Sequence, residues 1–413
     1  MEPKRNFTNS LFGVAIALAI FGGGYKLGEL KAASNPANGI KAAQVNQKNS
    51  LNYFDAALFD ETIKTLNQKY VDRTKLDGKK QFYGSLKGIV ASVGDPYTFF
   101  LTPDENKEAK ADLGGRFEGI GAQLGLKNNS IMIVAPLKNS PAQAAGISSG
   151  DYITKINGES TKNWTLTQAV AKIRGNKGTK VKLTLLRGAK EFTVEVTRQE
   201  IHVDSVELSY DTSAAIIKVN QFGETTNEEW DAAVAEVAQK WASKEIKGLV
   251  VDMRGNPGGF LDSAVHLSSE FLPGGSLIVK QESTVNGNHD YKVSRSGVLP
   301  NIPVTVLIDK GSASASEIFS GALRDYKRAT LVGEKSFGKG SVQEALDMKD
   351  NAGLHVTVAK WILPKGEWIN GKGIEPSVKV ENKALEPDAT NTPTEEQLRE
   401  NDVQLTKAIE LLP

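Results

Sequence analysis

The chain has 413 residues, enough for two or three domains. Its 50 Lys and Arg against 49 Asp and Glu leave a net charge of +1, which argues against a nucleic-acid partner bound through a basic surface. The absence of Cys excludes disulfide scaffolds, thiolate metal sites, Fe–S clusters and thiol nucleophiles, and four scattered His without an HExxH pattern argue against a His metal site.

Lys4 and Arg5 precede an apolar run from Leu11 to Tyr25. The run suits a signal-peptide core, and its flanks favour an uncleaved anchor with residues 1–9 on the cytoplasmic side. Either outcome exports the rest of the chain. Residues 1–33 are therefore read as an anchor or signal segment, and the small polar residues 34–50 as a linker. Over 51–113 the apolar spacing is helical, through Phe54, Leu58, Ile63 and Leu66, then Phe82, Leu86, Ile89 and Val90. Homodimerisation is one use for this region. Burial against the rest of the chain is the other.

Residues 114–199 read as a small β-rich domain. Strands are predicted at 120–126, 131–134, 152–156, 181–186 and 192–197, with Asn157-Gly158 and Arg187-Gly188 as turns. One helix stands out over 165–174, with Leu166, Ala169, Val170 and Ile173 on one face. From residue 214, strands at 215–219, 248–251 and 304–308 alternate with helices at 227–241, 261–272 and 316–326. That alternation predicts an α/β core over 200–381. Residues 382–413 form a Pro-, Thr- and Glu-rich tail whose last helical turns can dock back.

Three segments in this core could carry chemistry. In Val304–Ile308 followed by Asp309-Lys310-Gly311-Ser312-Ala313-Ser314-Ala315-Ser316-Glu317, an apolar strand runs through a Gly turn into a helix. A hydroxyl there would lie among free helix N–H groups, where a developing oxyanion is stabilised. Ser is also a preferred N-cap, so a capping serine accounts for the segment equally well. Next, Gly333 to Gln343 nearly matches a P-loop, but Gly340 stands where the Mg²⁺-binding hydroxyl belongs and no helix follows, which argues against a nucleotide. Extended backbone would place Lys339 and Gln343 on one face, and a mobile surface Lys is the alternative. Finally, Asp252-Met253-Arg254-Gly255-Asn256-Pro257-Gly258-Gly259 ends a buried strand in a turn whose N–H groups can face an anion or simply close the turn. A serine nucleophile needs a base. Without a flanking His motif, Lys qualifies if burial keeps its amine neutral.

Taken together, these segments resemble the C-terminal processing, or tail-specific, proteases. The resemblance also rests on Gly94-Asp95-Pro96-Tyr97, Phe117-Glu118-Gly119-Ile120-Gly121, Ser140 to Gly146 with Gly150-Asp151, and Asn370 to Pro376. It implies a Ser–Lys protease core with an inserted PDZ domain. Ser314 would be the nucleophile, Lys339 the base and Gln343 its orienting partner, with the Ala315 and Gly258 N–H groups as the oxyanion hole. The PDZ domain would hold a substrate's C-terminal carboxylate at Gly119, Ile120 and Gly121. The apolar side chains of that substrate would lie against Leu166, Val170 and Ile173. Apart from the resemblance, Arg174 at the end of the 165–174 helix could couple the occupied groove to the core, or could simply sit favourably on the helix dipole. No metal and no cofactor are implied, and the partners are proteins or peptides with free apolar C-termini. The segment Trp361 to Trp368 departs from the family pattern and leaves cleavage preference open. The competing readings are a non-catalytic, membrane-tethered PDZ scaffold and a nucleotide hydrolase.

Overall fold

The computed structural model describes residues 54–127, 130–137, 139–148, 150–211, 213–293, 295–381 and 401–413. The expected anchor, the linker and residues 382–400 of the tail lie outside them. Among the described residues no helix is long and apolar enough to cross a membrane. The fold divides into two units, residues 54–106 with 344–357 and residues 107–343 with 358–413.

The first unit opens with α1 (Ala56–Lys69) and α2 (Gly78–Ala91), capped by Asp55 and Asp77, whose carboxylates accept early helix N–H groups. Gln81 Nε2 donates to Asn67 Oδ1 at 2.8 Å, tying one helix to the other. No residue of either helix is buried. Phe54, Leu58, Phe82 and Ile89 are all more than half exposed. A turn follows in which Asp95 accepts from Tyr97 N and Thr98 Oγ1. Strand β1 (Phe99–Leu101) then pairs antiparallel with residues 353–355.

Helix α3 (Pro103–Leu113) leads into the β-rich domain. There β2 (Arg116–Gly119) precedes β3 (Ala122–Lys127), β4 (Ser130–Pro136), helix α4 (Pro141–Ala144), β5 (Tyr152–Ile156), β6 (Glu159–Ser160), helix α5 (Leu166–Ile173), β7 (Lys180–Arg187), β8 (Lys190–Thr197) and β9 (Gln199–His202). The sheet order is β3-β4-β5-β7-β8, which leaves one edge of β3 unpaired among the described residues. Every predicted strand is present, within a few residues. Residues 116–119, outside the predicted strands, form strand β2, paired with β9. The predicted helix starts at Leu166 behind a Thr165–Gln168 capping box and closes on Arg174, so its apolar spacing located it closely.

The α/β core holds β10 (Val206–Asp211), β11 (Ala214–Val219), helix α6 (Thr226–Ala242), β12 (Gly248–Asp252), helix α7 (Leu261–Ser268), β13 (Leu277–Glu282), β14 (His289–Lys292), β15 (Val304–Ile308), helix α8 (Ala315–Asp325), β16 (Thr330–Gly333), β17 (Ser341–Asp347), β18 (Gly353–Ile362), β19 (Val378–Lys379) and helix α9 (Val403–Glu410). Its main sheet runs β10-β11-β12-β15-β16-β19, parallel except for β10. Successive residues of its strands face opposite layers. Ile217, Leu249, Val251, Val306 and Ile308 pack with Trp230, Phe271 and Phe319 on one face. Ile216, Val250, Leu307 and Val332 pack with Leu405 and Ala408 of α9 on the other. The end of the tail therefore does dock back, as one layer of the core. This double coverage explains why β12 and β15 read as unbroken apolar runs.

Candidate active site

Strand β15 ends at Ile308, and the chain enters α8 through Ser314. That residue holds φ 53° and ψ −114°, outside the usual regions for a side-chain-bearing residue. A serine in that conformation at a strand-to-helix turn matches the geometry of a nucleophile elbow. The flanking hydroxyls are committed elsewhere. Ser312 Oγ donates to Met253 O at 2.8 Å and Ser316 Oγ to Asn256 O at 3.0 Å.

The hub of the site is Glu317, a fully buried carboxylate that carried no assigned role in the sequence reading. Its Oε2 accepts the N–H groups of Ser314 and of Lys339, each at 2.9 Å. Its Oε1 accepts Ser336 Oγ at 2.6 Å and Gly338 N at 2.7 Å. One side chain thus joins the turn bearing the expected nucleophile to the loop bearing the expected base. Burial pushes its carboxyl up to about 6, against the pull of the donors that favour the ionised form. The signal was present in the sequence, since Ser314-x-x-Glu317 has capping-box spacing, a Ser three residues ahead of a Glu at a helix start. Here the Glu arm of that box reaches back to the Ser amide and on to a distant loop.

Lys339 is fully buried, so it is no mobile surface lysine. Its loop is pressed against the 369–373 turn at both flanking glycines. A Cβ on Gly338 would lie 2.6 Å from Gly373 N, and one on Gly340 2.8 Å from Asn370 N. Trp368 Nε1 donates to Gly340 O at 2.8 Å, so the aromatic segment that departs from the family pattern helps fix the loop bearing Lys339. Gln343 is also buried, and its amide Nε2 donates to Ser341 Oγ at 2.9 Å.

The third expected segment closes on the elbow. Asn256 O accepts Ala313 N at 3.0 Å. Gly258 holds φ 102°, and a Cβ there would come within 2.8 Å of Ser314 Cβ and 3.0 Å of Ala315 N. The Gly258 N–H, expected to face an oxyanion, is instead donated to Asn256 Oδ1 at 2.8 Å in an Asx turn. Ala315 is the first residue of α8, where helix N–H groups lack helical acceptors.

In the β-rich domain, Gly119 ends β2, and Ile120 is buried with its carbonyl accepting Ala142 N at 2.8 Å. Gly121 holds φ 68°, and a Cβ would lie 2.5 Å from Ser140 Cβ. Leu166 and Ile173 face mainly into the domain core beside Ala169, whereas Val170 is only partly buried. The apolar stripe assigned to a groove is therefore shared with the core, because a narrow helix buries two faces at once. Arg174 pairs with both oxygens of Asp112 at 2.9 and 3.0 Å and lies 4.9 Å from the Phe117 ring centre. Burial pushes the Asp112 carboxyl up, offset by this guanidinium. Among the described residues, His202, Asp204 and Glu229 come close enough to share an ion. That trio is largely exposed, and Glu229 already accepts Val206 N.

A serine elbow on an α/β core, tied to a buried lysine loop and preceded by a small β-rich domain, defines a class of serine peptidase. The chain belongs to peptidase family S41. The model of that family matches residues 213–380, and the PDZ domain model matches residues 107–186. A probable CtpA-like serine protease of Staphylococcus aureus (strain bovine RF122 / ET3-1) is 38% identical over 348 residues, covering 82% of this chain and 68% of its own. A protein of the same description from Staphylococcus haemolyticus (strain JCSC1435) is 39% identical over 320 residues, covering 77% and 63%. Among solved structures, the photosystem II D1 C-terminal processing protease aligns with a TM-score of 0.52 at 24% identity, over 86% of this chain and 96% of its own, a likeness of fold. This protein is a serine protease of family S41 that carries a PDZ domain.

Proposed function

We propose that the protein is an endopeptidase that cleaves exported proteins near their C-termini through a Ser314–Lys339 dyad. The observation that carries this is the shared Glu317 Oε2, which accepts the amides of both residues at 2.9 Å. A lysine shut away from water favours its neutral amine, the form a base requires. In the first step Ser314 Oγ bonds to the scissile carbonyl carbon and its proton passes to Lys339 Nζ. The oxyanion is held by Ala315 N–H, joined by Gly258 N–H when it exchanges Asn256 for the ligand. Collapse of the intermediate expels the amine, which takes the proton back from Lys339. Water then repeats the sequence on the ester. Gln343, with its amide on Ser341, orients the lysine side of the site.

The PDZ domain supplies selection. A substrate strand adds to the open edge of β3, its carboxylate lies at Gly119, Ile120 and Gly121, and its apolar side chains contact Val170 and the exposed margins of Leu166 and Ile173. Residues 1–33 hold the enzyme on the outer side of the cytoplasmic membrane. The exposed apolar side chains of α1 and α2 supply a homodimer contact.

Two measurements test this reading. Ser314→Ala should abolish both cleavage and labelling by a serine-acylating probe while leaving the fold intact. One unfolded substrate with a free apolar, an amidated or a charged C-terminus should show the highest kcat/KM for the free apolar form. A cleaving Ser314→Ala enzyme would remove the nucleophile assignment, and equal kcat/KM for the three substrates would remove tail reading.

A further inference from the structure

Arg254 begins the turn that packs against Ser314, and its guanidinium is mostly buried between two carboxylates. Nε and Nη2 donate to Asp252 at 2.9 and 2.6 Å. Nη1 and Nη2 donate to the two oxygens of Asp402, each at 2.8 Å, in a bidentate pair. Asp402 lies 148 residues further along the chain and is the N-cap of α9, accepting Leu405 N at 3.0 Å. Gln404 Oε1 adds a further acceptor to Nη1 at 3.1 Å. On the other side of Arg254, Gly255 N is held by Asp309 and Asn256 O holds both Ala313 N and Ser316 Oγ. Every residue from Asp402 to Ser314 is thus connected by short hydrogen bonds or by main chain.

We infer that Asp402, through Arg254, is a positioning residue for the 255–259 turn, so that α9 is a working part of the active site. Packing alone does not require this arrangement. Leu405 and Ala408 already fill the apolar layer beneath the sheet, and an Asn, Ser or Thr would cap the helix as well as Asp does. What only a carboxylate at 402 provides is a second anionic fork for a guanidinium already paired on its other side. With only Asp252 and the single Gln404 oxygen as acceptors, the Arg254 side chain has donors to spare and can swing, and the turn it carries loses one wall. Displacements of about 1 Å at such a turn cost about a hundredfold in rate. The inference rests on Ser314 as the nucleophile, but its test separates the two.

The test uses the full chain. Asp402→Asn keeps the helix cap and the size of the side chain but removes the charge, whereas Leu405→Ala loosens the same helix without touching Arg254. Asp402→Asn should lower kcat by about tenfold or more with KM changed by less than about twofold, and should slow Ser314 acylation in parallel. Asp402→Glu should recover part of the loss. Leu405→Ala should lower the melting temperature more than Asp402→Asn does yet keep kcat at temperatures where it is folded. In the double variant Arg254→Gln/Asp402→Asn, the loss should equal that of Arg254→Gln alone. Unchanged kcat in Asp402→Asn, equal loss in Leu405→Ala, or additive losses in the double variant would each overturn the inference. None of these outcomes bears on whether Ser314→Ala is inactive.

Discussion

Glu317→Gln is the most searching perturbation of this site. The carboxylate accepts four donors, at 2.9 Å from Ser314 N, 2.6 Å from Ser336 Oγ, 2.7 Å from Gly338 N and 2.9 Å from Lys339 N. An amide retains one oxygen, so two donors meet an NH₂ group instead. Hydrogen bonds to a charged group contribute about 1.5–3 kcal/mol each, and two amount to about 3–6 kcal/mol. Against this, the rise of the carboxyl from 4.5 to about 6 means that burial outweighs the donors by about 2 kcal/mol, a cost a neutral amide does not incur. The net destabilisation is about 1–4 kcal/mol, which a folded core of this size should survive. Catalysis should suffer more, because the two main chains the carboxylate joins are those of the proposed nucleophile and the proposed base. We expect kcat to fall by about a hundredfold or more with little change in KM. The pH dependence gives an independent check. As pH falls through about 6 the carboxyl gains a proton and one acceptor oxygen becomes a donor, so kcat should decline. Stability moves the other way. The native state binds this proton more tightly than the unfolded chain, so the contribution of Glu317 to stability is greatest below 4.5 and is lost as pH rises through about 6. Kinetics and melting curves on the same samples separate the two. An enzyme with Gln at 317 that keeps kcat within about threefold of the parent would refute the argument.

The other perturbations follow from single contacts. Lys339→Arg should be as inactive as Lys339→Ala, since a guanidinium stays protonated, and full cleavage by the Arg enzyme would take the base role from Lys339. Gly258→Ala must place a methyl 2.8 Å from Ser314 Cβ at φ 102°, so kcat should drop by about a hundredfold. Gly274→Ala, with nothing within 4 Å of the added carbon, should leave kcat unchanged. Arg174→Ala strips a guanidinium from the largely buried Asp112. Turnover should fall while the affinity of a C-terminal peptide, measured by calorimetry on full-length chain carrying Ser314→Ala, stays within about twofold. Loss of affinity equal to the loss of turnover would make Arg174 a groove residue and not a coupling one.

What could be read from the sequence was what repeats locally. The 166–173 helix, the strands of the β-rich domain and the alternation over 214–326 all follow from apolar spacing, because each buries one face or two against neighbours close in sequence. Among the strands missed, Val206–Asp211, Leu277–Glu282 and His289–Lys292 carry Ser, Asp, Lys, Gln or His at positions that the spacing rules read as loop. Their pairing partners, not their own pattern, make them strands. The site divides the same way. The glycines at 258 and 259 and at 338 and 340 stood out as turn-forming, and the structure presses other backbone against them. The connections between segments were not. Glu317 reaches Lys339 across 22 residues and Arg254 reaches Asp402 across 148, and no local rule pairs groups at those separations.

The division has a chemical reason. An elbow serine and a buried lysine are each recognisable alone, because strained turns and Gly–Lys–Gly loops need particular residues. Bringing them together requires a group that both main chains can donate to, and a carboxylate with two oxygens and about four lone-pair sites serves two loops at once. Glu317 does this for the elbow and the lysine loop. Asp402 does it for its own helix and for Arg254. Both are acids at the starts of helices, positions where an acid has an adequate local explanation as a cap or as a partner of the helix dipole. The local explanation is correct in each case and hides the second role, since the oxygens left over after capping reach the distant loop. Acids at helix N-termini that face a core rather than solvent are thus where a sequence most readily conceals the joints of an active site.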